Sequence, residues 1–199
     1  MSRPVAVVAP SDDRELVQRA VAGDRAAFEA IYRAHADRVF ALLTRLLGPD
    51  REREDLMQEV FIRLHPALAR FRGECALPTF IYQITTRVAV DHLRRRRRHR
   101  ADTLAAGNTI DLDAEIDPGL SPAEQAARRQ ELVDALTLLD ALSPKLRAAF
   151  VLREVMGLSH DEVARIVDAH PAAARMRVAL ARRAIAKLCA KSPARKDLR

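Results

Sequence analysis

Apolar residues recur along this chain at helical spacing, and no run shows the alternation of a half-buried strand. Residues 14–22, 24–47 and 51–65 each carry such a stripe, as Phe28, Ile31, Tyr32 and His35 do in the second. The pattern predicts a helix over each segment. Pro66 is expected to end or kink the third, because it lacks an amide hydrogen and its ring crowds the preceding turn. A fourth helix is expected to open near Pro78, a residue suited to a first turn, and to run to about Arg98. Its residues Leu77, Ile81, Ile84 and Val88 form the apolar stripe, with Phe80, Gln83, Arg87, Asp91 and Arg94 on an adjacent face.

The later helices declare their starts. Ser121-Pro122-Ala123-Glu124 and Ser159-His160-Asp161-Glu162 have capping-box spacing, in which hydroxyl and carboxylate each accept from a free backbone N–H. Ser143-Pro144 is a third start, Gly157 a stop, and His170-Pro171 opens a last helix through about Ala190. Between the two groups lies ADTLAAGNTIDLDAEIDPGLSP, with two Gly, two Pro and no sustained stripe, which reads as a linker. The expected architecture is all-α: two small helical domains joined by a flexible acidic linker.

Composition narrows the class. The 199 residues are 49% hydrophobic and 31% charged, enough apolar material for a core. No apolar stretch is long enough to span a bilayer, and the start, MSRPVAVVAP, is too short in apolar residues for a signal peptide. Cys75 and Cys189 lie far apart, which fits a reducing cytoplasm better than a disulfide framework. The net charge of +7 points to an anionic partner, nucleic acid or acidic membrane.

That charge is unevenly placed. Residues 1–72, 73–100, 101–127 and 128–199 carry +1, +5, −6 and +7, and the second block ends in the run Arg94-Arg95-Arg96-Arg97-Arg98-His99-Arg100. Residues 101–127 hold six acids and no Lys or Arg. Seven of the eight aromatic residues fall before residue 83. Aromatic side chains beside arginines suit unpaired bases, which stack on rings while cations hold the backbone. Phe71 of the FRGEC stretch joins Phe80 in this reading; packing of Phe71, Phe80 and Tyr82 in the core is the alternative.

The helix from Ser159 to about Val167, the turn Asp168-Ala169-His170 and the helix from Pro171 have helix-turn-helix proportions. The last helix is small at its front (Ala172, Ala173, Ala174) and basic beyond (Arg175, Arg177, Arg182, Arg183), as a helix entering a major groove requires. A cationic hairpin packed on its own domain has the same proportions. No P-loop, dinucleotide turn or nucleophile–base motif occurs, and the histidines and cysteines lack metal-ligand spacing, so no catalytic residue, metal or cofactor is expected.

In their full order these segments resemble an extracytoplasmic-function (ECF) sigma factor of the sigma-70 family, the promoter-specificity subunits of bacterial RNA polymerase. The resemblance is carried by Glu54 to Phe61, Phe71-Arg72-Gly73, Thr79 to Arg98 with Asp91-His92-Leu93-Arg94-Arg95, Leu142-Ser143-Pro144, Gly157-Leu158-Ser159, Asp161 to Ala164 and Ala174 to Arg177. It implies region 2 over 14–100, the acidic linker at 101–127 and region 4 over 128–191, flanked by a disordered 1–13 and a basic tail at 192–199. Asp55, Leu56, Gln58, Glu59 and Phe61 match the part that docks on core RNA polymerase. Phe71, Arg72, Phe80, Gln83, Arg87, Asp91, Arg94 and Arg95 match the element that recognises and melts the −10 promoter DNA. Ser159, His160, Pro171, Ala172, Ala173, Arg175, Met176, Arg177 and Arg182 match the −35 reader.

The resemblance implies that the acidic linker runs through polymerase channels otherwise used by nucleic acid; solubility and spacing are the alternative, which composition alone favours. An anti-sigma factor is a further implied partner; membrane insertion is not. The chain departs from the family pattern at His65 and Phe80, where Trp is usual, and at Arg87, where Asn is common. Ala173, Ala174 and Leu180 replace a Thr, a branched aliphatic residue and an Arg, so a distinct promoter sequence or a weaker unaided affinity for DNA is expected. The alternatives are a helix-turn-helix regulator that never binds polymerase, and a membrane-surface protein using the arginine run. The latter lacks a lipidation motif and an aromatic anchor.

Overall fold

Helix starts in the computed structural model coincide with the side chains able to cap them. The structure describes residues 10–102, 119 and 121–191. Asp24 accepts from the amides of Ala26 and Ala27 at 2.9 and 3.2 Å, which closes α1 (Pro10–Val21) and opens α2 (Arg25–Leu47). Both capping boxes are formed: Ser121 with Glu124 opens α5 (Pro122–Asp140), and Ser159 with Glu162 opens α7 (His160–Ile166). Ser143 caps α6 (Pro144–Phe150), which passes into a π-turn over Val151–Val155 and stops at Gly157. After Asp168, at φ 49°, the last helix α8 runs Pro171–Lys191.

Three boundaries differ from the pattern. Pro66 lies inside the last turn of α3 (Arg53–Ala67), and the chain then tightens into a 3-10 turn at Leu68–Arg70. The helical bond lost to Pro66 falls on the side of Ile62, which faces solvent, so it does not break the helix early. Helix α4 (Leu77–Asp102) outruns Arg98, because arginines are good helix formers and nothing before residue 102 stops them. The helix α1 likewise begins four residues earlier than expected. The acidic segment 103–118, residues 1–9 and the basic tail 192–199 lie outside the described residues.

In the N-terminal half, α2 is central and packs against α1, α3 and α4. Val39, Leu42, Leu43 and Leu46 on α2 meet Val60 and Leu64 of α3 and Ile81 and Val88 of α4, all fully buried. Each such leucine contributes roughly 1.5–3 kcal/mol relative to exposure. The expected stripe of α4 is therefore the core stripe. His35 of α2 is buried as well, and burial together with Arg38 pushes its pKa down.

In the C-terminal half, α6 and α8 approach closely, burying Ala148, Ala149, Ala174 and Val178 in one cluster, with α7 across them. The two halves share one apolar cluster, because α6 and α7 lie along α4. The last turns of α5 cover the end of α2. There Gly48, at φ 78°, is required twice over: a Cβ at this position would stand 2.2 Å from Leu136 Cδ2. Among the described residues there is no strand, and no helix is long and apolar enough to cross a membrane.

Candidate nucleic-acid interface

Helix α4 carries most of the candidate chemistry on the face adjoining its core stripe. Phe71 and Phe80 are half-buried, with ring centroids 5.3 Å apart. They line an open cleft of about 500 Å³ together with Arg70, Arg72, Cys75 and Gln83. The 3-10 turn and the short loop after it place Phe71 opposite Phe80. The cleft is large enough for a planar ring, and two cations and one carboxylate, Glu74, border it. Tyr82 instead packs on the core, and its burial raises the phenol pKa.

Beyond the cleft, the same face meets the C-terminal half. Gln83 Nε2 donates to the carbonyl oxygen of Arg165 at 2.8 Å, and Arg87 lies 3.3 Å from Asp168 Oδ2. Asp91 is shared between Arg94 at 3.3 Å and Arg63 at 3.9 Å. Arg95 reaches Glu59 at 3.8 Å. A cavity of about 210 Å³ remains between the halves, where Arg87 and Arg94 face Lys145 and Arg177.

The arginine run divides by helical phase. Arg96 bridges Asp50 and Asp140, each at 3.1 Å, and Arg97 donates to the carbonyls of Asp140 and Leu142. These two arginines hold the protein together in this arrangement, a role the run alone did not reveal. Asp140 also takes Arg147, which is 1% exposed, at 2.5 Å. Asp50 meanwhile accepts from His92 at 3.0 Å. Burial works to raise the Asp50 pKa, but His92, the Glu52 amide and Arg96 outweigh it and hold the carboxyl at about 2. Asp50, Glu52 and His92 thus converge closely enough to ligate an ion, although their spacing gave no hint of it. Arg96 already supplies positive charge at that point.

On α3 the candidate residues split between two sides. Leu56 and Phe61 are buried, Phe61 against Tyr32 at 4.5 Å, and they seat the helix. Asp55 and Gln58 point outward, and Glu59 is half-buried beside Arg63 at 2.5 Å. Ile62, one turn beyond Gln58, is 71% exposed on that outward side. It lies off the Leu56–Val60–Leu64 stripe, and that mismatch was the signal by which it could have been found.

On the helix pair, Ser159 is occupied as a cap, and His160 is half-buried with Nδ1 lacking a partner. Pro171 and Ala173 are half-buried, while Ala172, Arg175 and Met176 face solvent. Arg177 turns to the cavity between the halves, and Arg182 pairs with Glu154 at 2.8 Å. The exposed side of α8 is thus small, then cationic, with Met176 and Leu180 as apolar additions.

Comparisons with known proteins agree with this layout. Residues 31–99 match the model for sigma-70 region 2, and residues 132–185 match that for sigma-70 region 4. The chain is 31% identical over 182 residues to the RNA polymerase sigma-H factor of Pseudomonas aeruginosa, covering 88% of this chain and 92% of that one. It is 33% identical over 178 residues to the ECF RNA polymerase sigma-E factor of Escherichia coli K12, covering 87% and 92%. Among solved structures, CnrH in complex with the cytosolic domain of CnrY superposes with a TM-score of 0.60 at 22% identity, over 91% of this chain and 99% of that one. The sigma factor RpoE of Bartonella quintana, solved with the anti-sigma factor NepR, gives 0.57 at 20% identity, over 83% and 98%. At such identities the structures speak for the fold.

Proposed function

The chain belongs to the sigma-70 family, as an extracytoplasmic-function RNA polymerase sigma factor, and we propose that it engages polymerase through α3 and promoter DNA through α4 and α8. It binds core RNA polymerase and directs promoter-specific initiation. A regulator that never meets polymerase is not favoured, since region 2 is matched as well as region 4. Bond formation stays with the core enzyme; this subunit contributes positioning and strand opening in the cytoplasm, where the promoter is.

The observation that carries the proposal is the Phe71–Phe80 cleft on the cationic side of α4. An unstacked base of the −10 strand enters it, with Arg72 on the backbone and Gln83 at its rim. Stacking of this kind is worth ~1–3 kcal/mol per base, enough to help hold a melted strand. Arg87, Asp91, Arg94 and Arg95 extend the same surface along the helix. For the −35 element, α8 enters the major groove with Ala172, Ala173, Arg175 and Met176 toward the bases, while Arg177 and Arg182 hold phosphates. Ser159, His160 and Pro171 position that helix. Asp55, Gln58 and Glu59 meet polymerase, Leu56 and Phe61 seat the helix beneath them, and Ile62 adds an apolar contact.

The domain division proposed is region 2 over 14–100, linker 101–127 and region 4 over 128–191. An anti-sigma factor is proposed as a regulatory partner, as in the Bartonella complex. Run-off transcription by core polymerase with this chain, on a library of promoter sequences, tests the reading and yields the promoter together. Sequence-selective starts that require the added chain are expected. Starts identical to those of core polymerase alone would refute it.

A further inference from the structure

We propose that a small cavity, where α4 meets the turn between α5 and α6, binds one monovalent anion of chloride's size. The cavity measures about 20 Å³, room for a single water-sized guest, and is lined by Arg96, Arg97, Asp140, Arg147 and three apolar residues. Arg147 is the group that calls for a ligand. Its side chain is 1% exposed, and Nη1 pairs with Asp140 at 2.5 Å, but Nε and Nη2 have no hydrogen-bond partner. Donors of a buried charged group left unpaired are among the costlier defects of a fold. The acceptors at hand are already taken: the Asp140 carboxylate by Arg96 and Arg147, the carbonyls of Asp140 and Leu142 by Arg97.

Charge and hydrogen bonding both select an anion over water. Three guanidinium groups share this space with one carboxylate. Asp50 also pairs with Arg96, at 3.1 Å, and one positive charge is still in surplus. Burial lowers the pKa of Arg147 and Asp140 raises it, while Arg96 and Arg97 add to the lowering. The three cations thus press on one another, and an anion among them relieves that. A guanidinium only donates, so a guest here must accept. A water would need acceptors for its own two hydrogens, whereas a halide needs none. A tetrahedral oxyanion exceeds a space of this size. Arg97 is exposed, so its side chain is free to swing and admit the ion. Arg96 and Arg97 come from α4 and Arg147 from α6, so both halves hold the anion.

Chloride NMR linewidths and urea unfolding of the full chain test the site. Sodium chloride is exchanged stepwise for sodium gluconate at constant ionic strength, gluconate being too large for the cavity. Arg147→Met removes the unpartnered donors and leaves Asp140 to Arg96; Arg97→Gln removes the cation at the exposed edge. Arg98→Gln is the control, since it deletes the same charge at an exposed position outside the cavity. In the wild type, an excess linewidth that titrates out as one class of site is expected. Its folded-to-unfolded ratio should rise about tenfold once chloride reaches about ten times the dissociation constant so measured. Arg147→Met and Arg97→Gln should lose most of both responses, and Arg98→Gln should keep them. A response equal in all four chains, or none in the wild type, overturns the proposal and leaves the cavity to a water. Should Arg147→Met fail to fold by circular dichroism, Arg97→Gln against Arg98→Gln decides alone.

Discussion

Replacing Asp50 by Asn removes a charge on which the end of α4 is built. Asp50 is 10% exposed at the side chain and is met by His92 at 3.0 Å, Arg96 at 3.1 Å and the Glu52 amide at 2.9 Å. Its carboxyl is held at about 2, below the ordinary aspartate value of 3.8, despite a burial that works the other way. By linkage, that difference corresponds to about 2 kcal/mol of folded-state stability at neutral pH. Because the folded pKa is the lower one, the stabilisation is complete above about pH 4 and disappears as the pH falls through about 2. At pH 3 it retains about half its size. Urea unfolding followed by tyrosine fluorescence suits the measurement, since Tyr32 and Tyr82 both lie in the N-terminal half and there is no Trp. The expected gap between wild type and Asp50→Asn is about 2 kcal/mol at pH 7 and about 1 kcal/mol at pH 3. A gap below about 0.5 kcal/mol at pH 7, in the range of ordinary surface changes, or one that does not shrink in acid, would refute the account of this cluster.

Phe80→Ala should lower open-complex formation on duplex promoters more than on pre-melted templates; equal loss on both would show that Phe80 only packs against Phe71. Arg175→Ala should weaken initiation from promoters with a −35 element and relax base choice there; a salt slope of DNA binding reduced by about 1 with base choice unchanged would instead place Arg175 on a phosphate. Ser159→Ala removes the hydroxyl that accepts from the Glu162 amide at 3.2 Å and should cost about 1 kcal/mol in thermal or urea unfolding. Gly48→Ala should destabilise the N-terminal half and expand the free chain, because φ 78° is strained for alanine and the new methyl strikes Leu136; unchanged unfolding and scattering would contradict that contact.

Local chemistry decided a good deal from sequence alone. Ser121, Ser143 and Ser159 mark helix starts because a cap is a bond between residues three apart, which sequence displays directly. Gly157 and the Asp168-Ala169-His170 turn were legible for the same reason. The periodicity of Leu77, Ile81 and Val88 identified the buried side of α4, and the ordered set of motifs identified the family. The uncovered side of α4 was legible as a surface of aromatics and arginines.

What only the tertiary structure decided are pairings between residues far apart in the chain: Gln83 with Arg165, Arg96 with Asp50 and Asp140, His92 with Asp50. Five consecutive arginines look alike in a sequence, yet a helix turns each by about 100° from the last. Arg94 and Arg95 therefore face Asp91 and Glu59 on their own half, while Arg96 and Arg97 reach across to the other. Periodicity states that such a division must exist. Only the docking of α5, α6 and α7 on the N-terminal half determines which arginine meets which carboxylate, because that choice depends on packing between segments that no local rule relates.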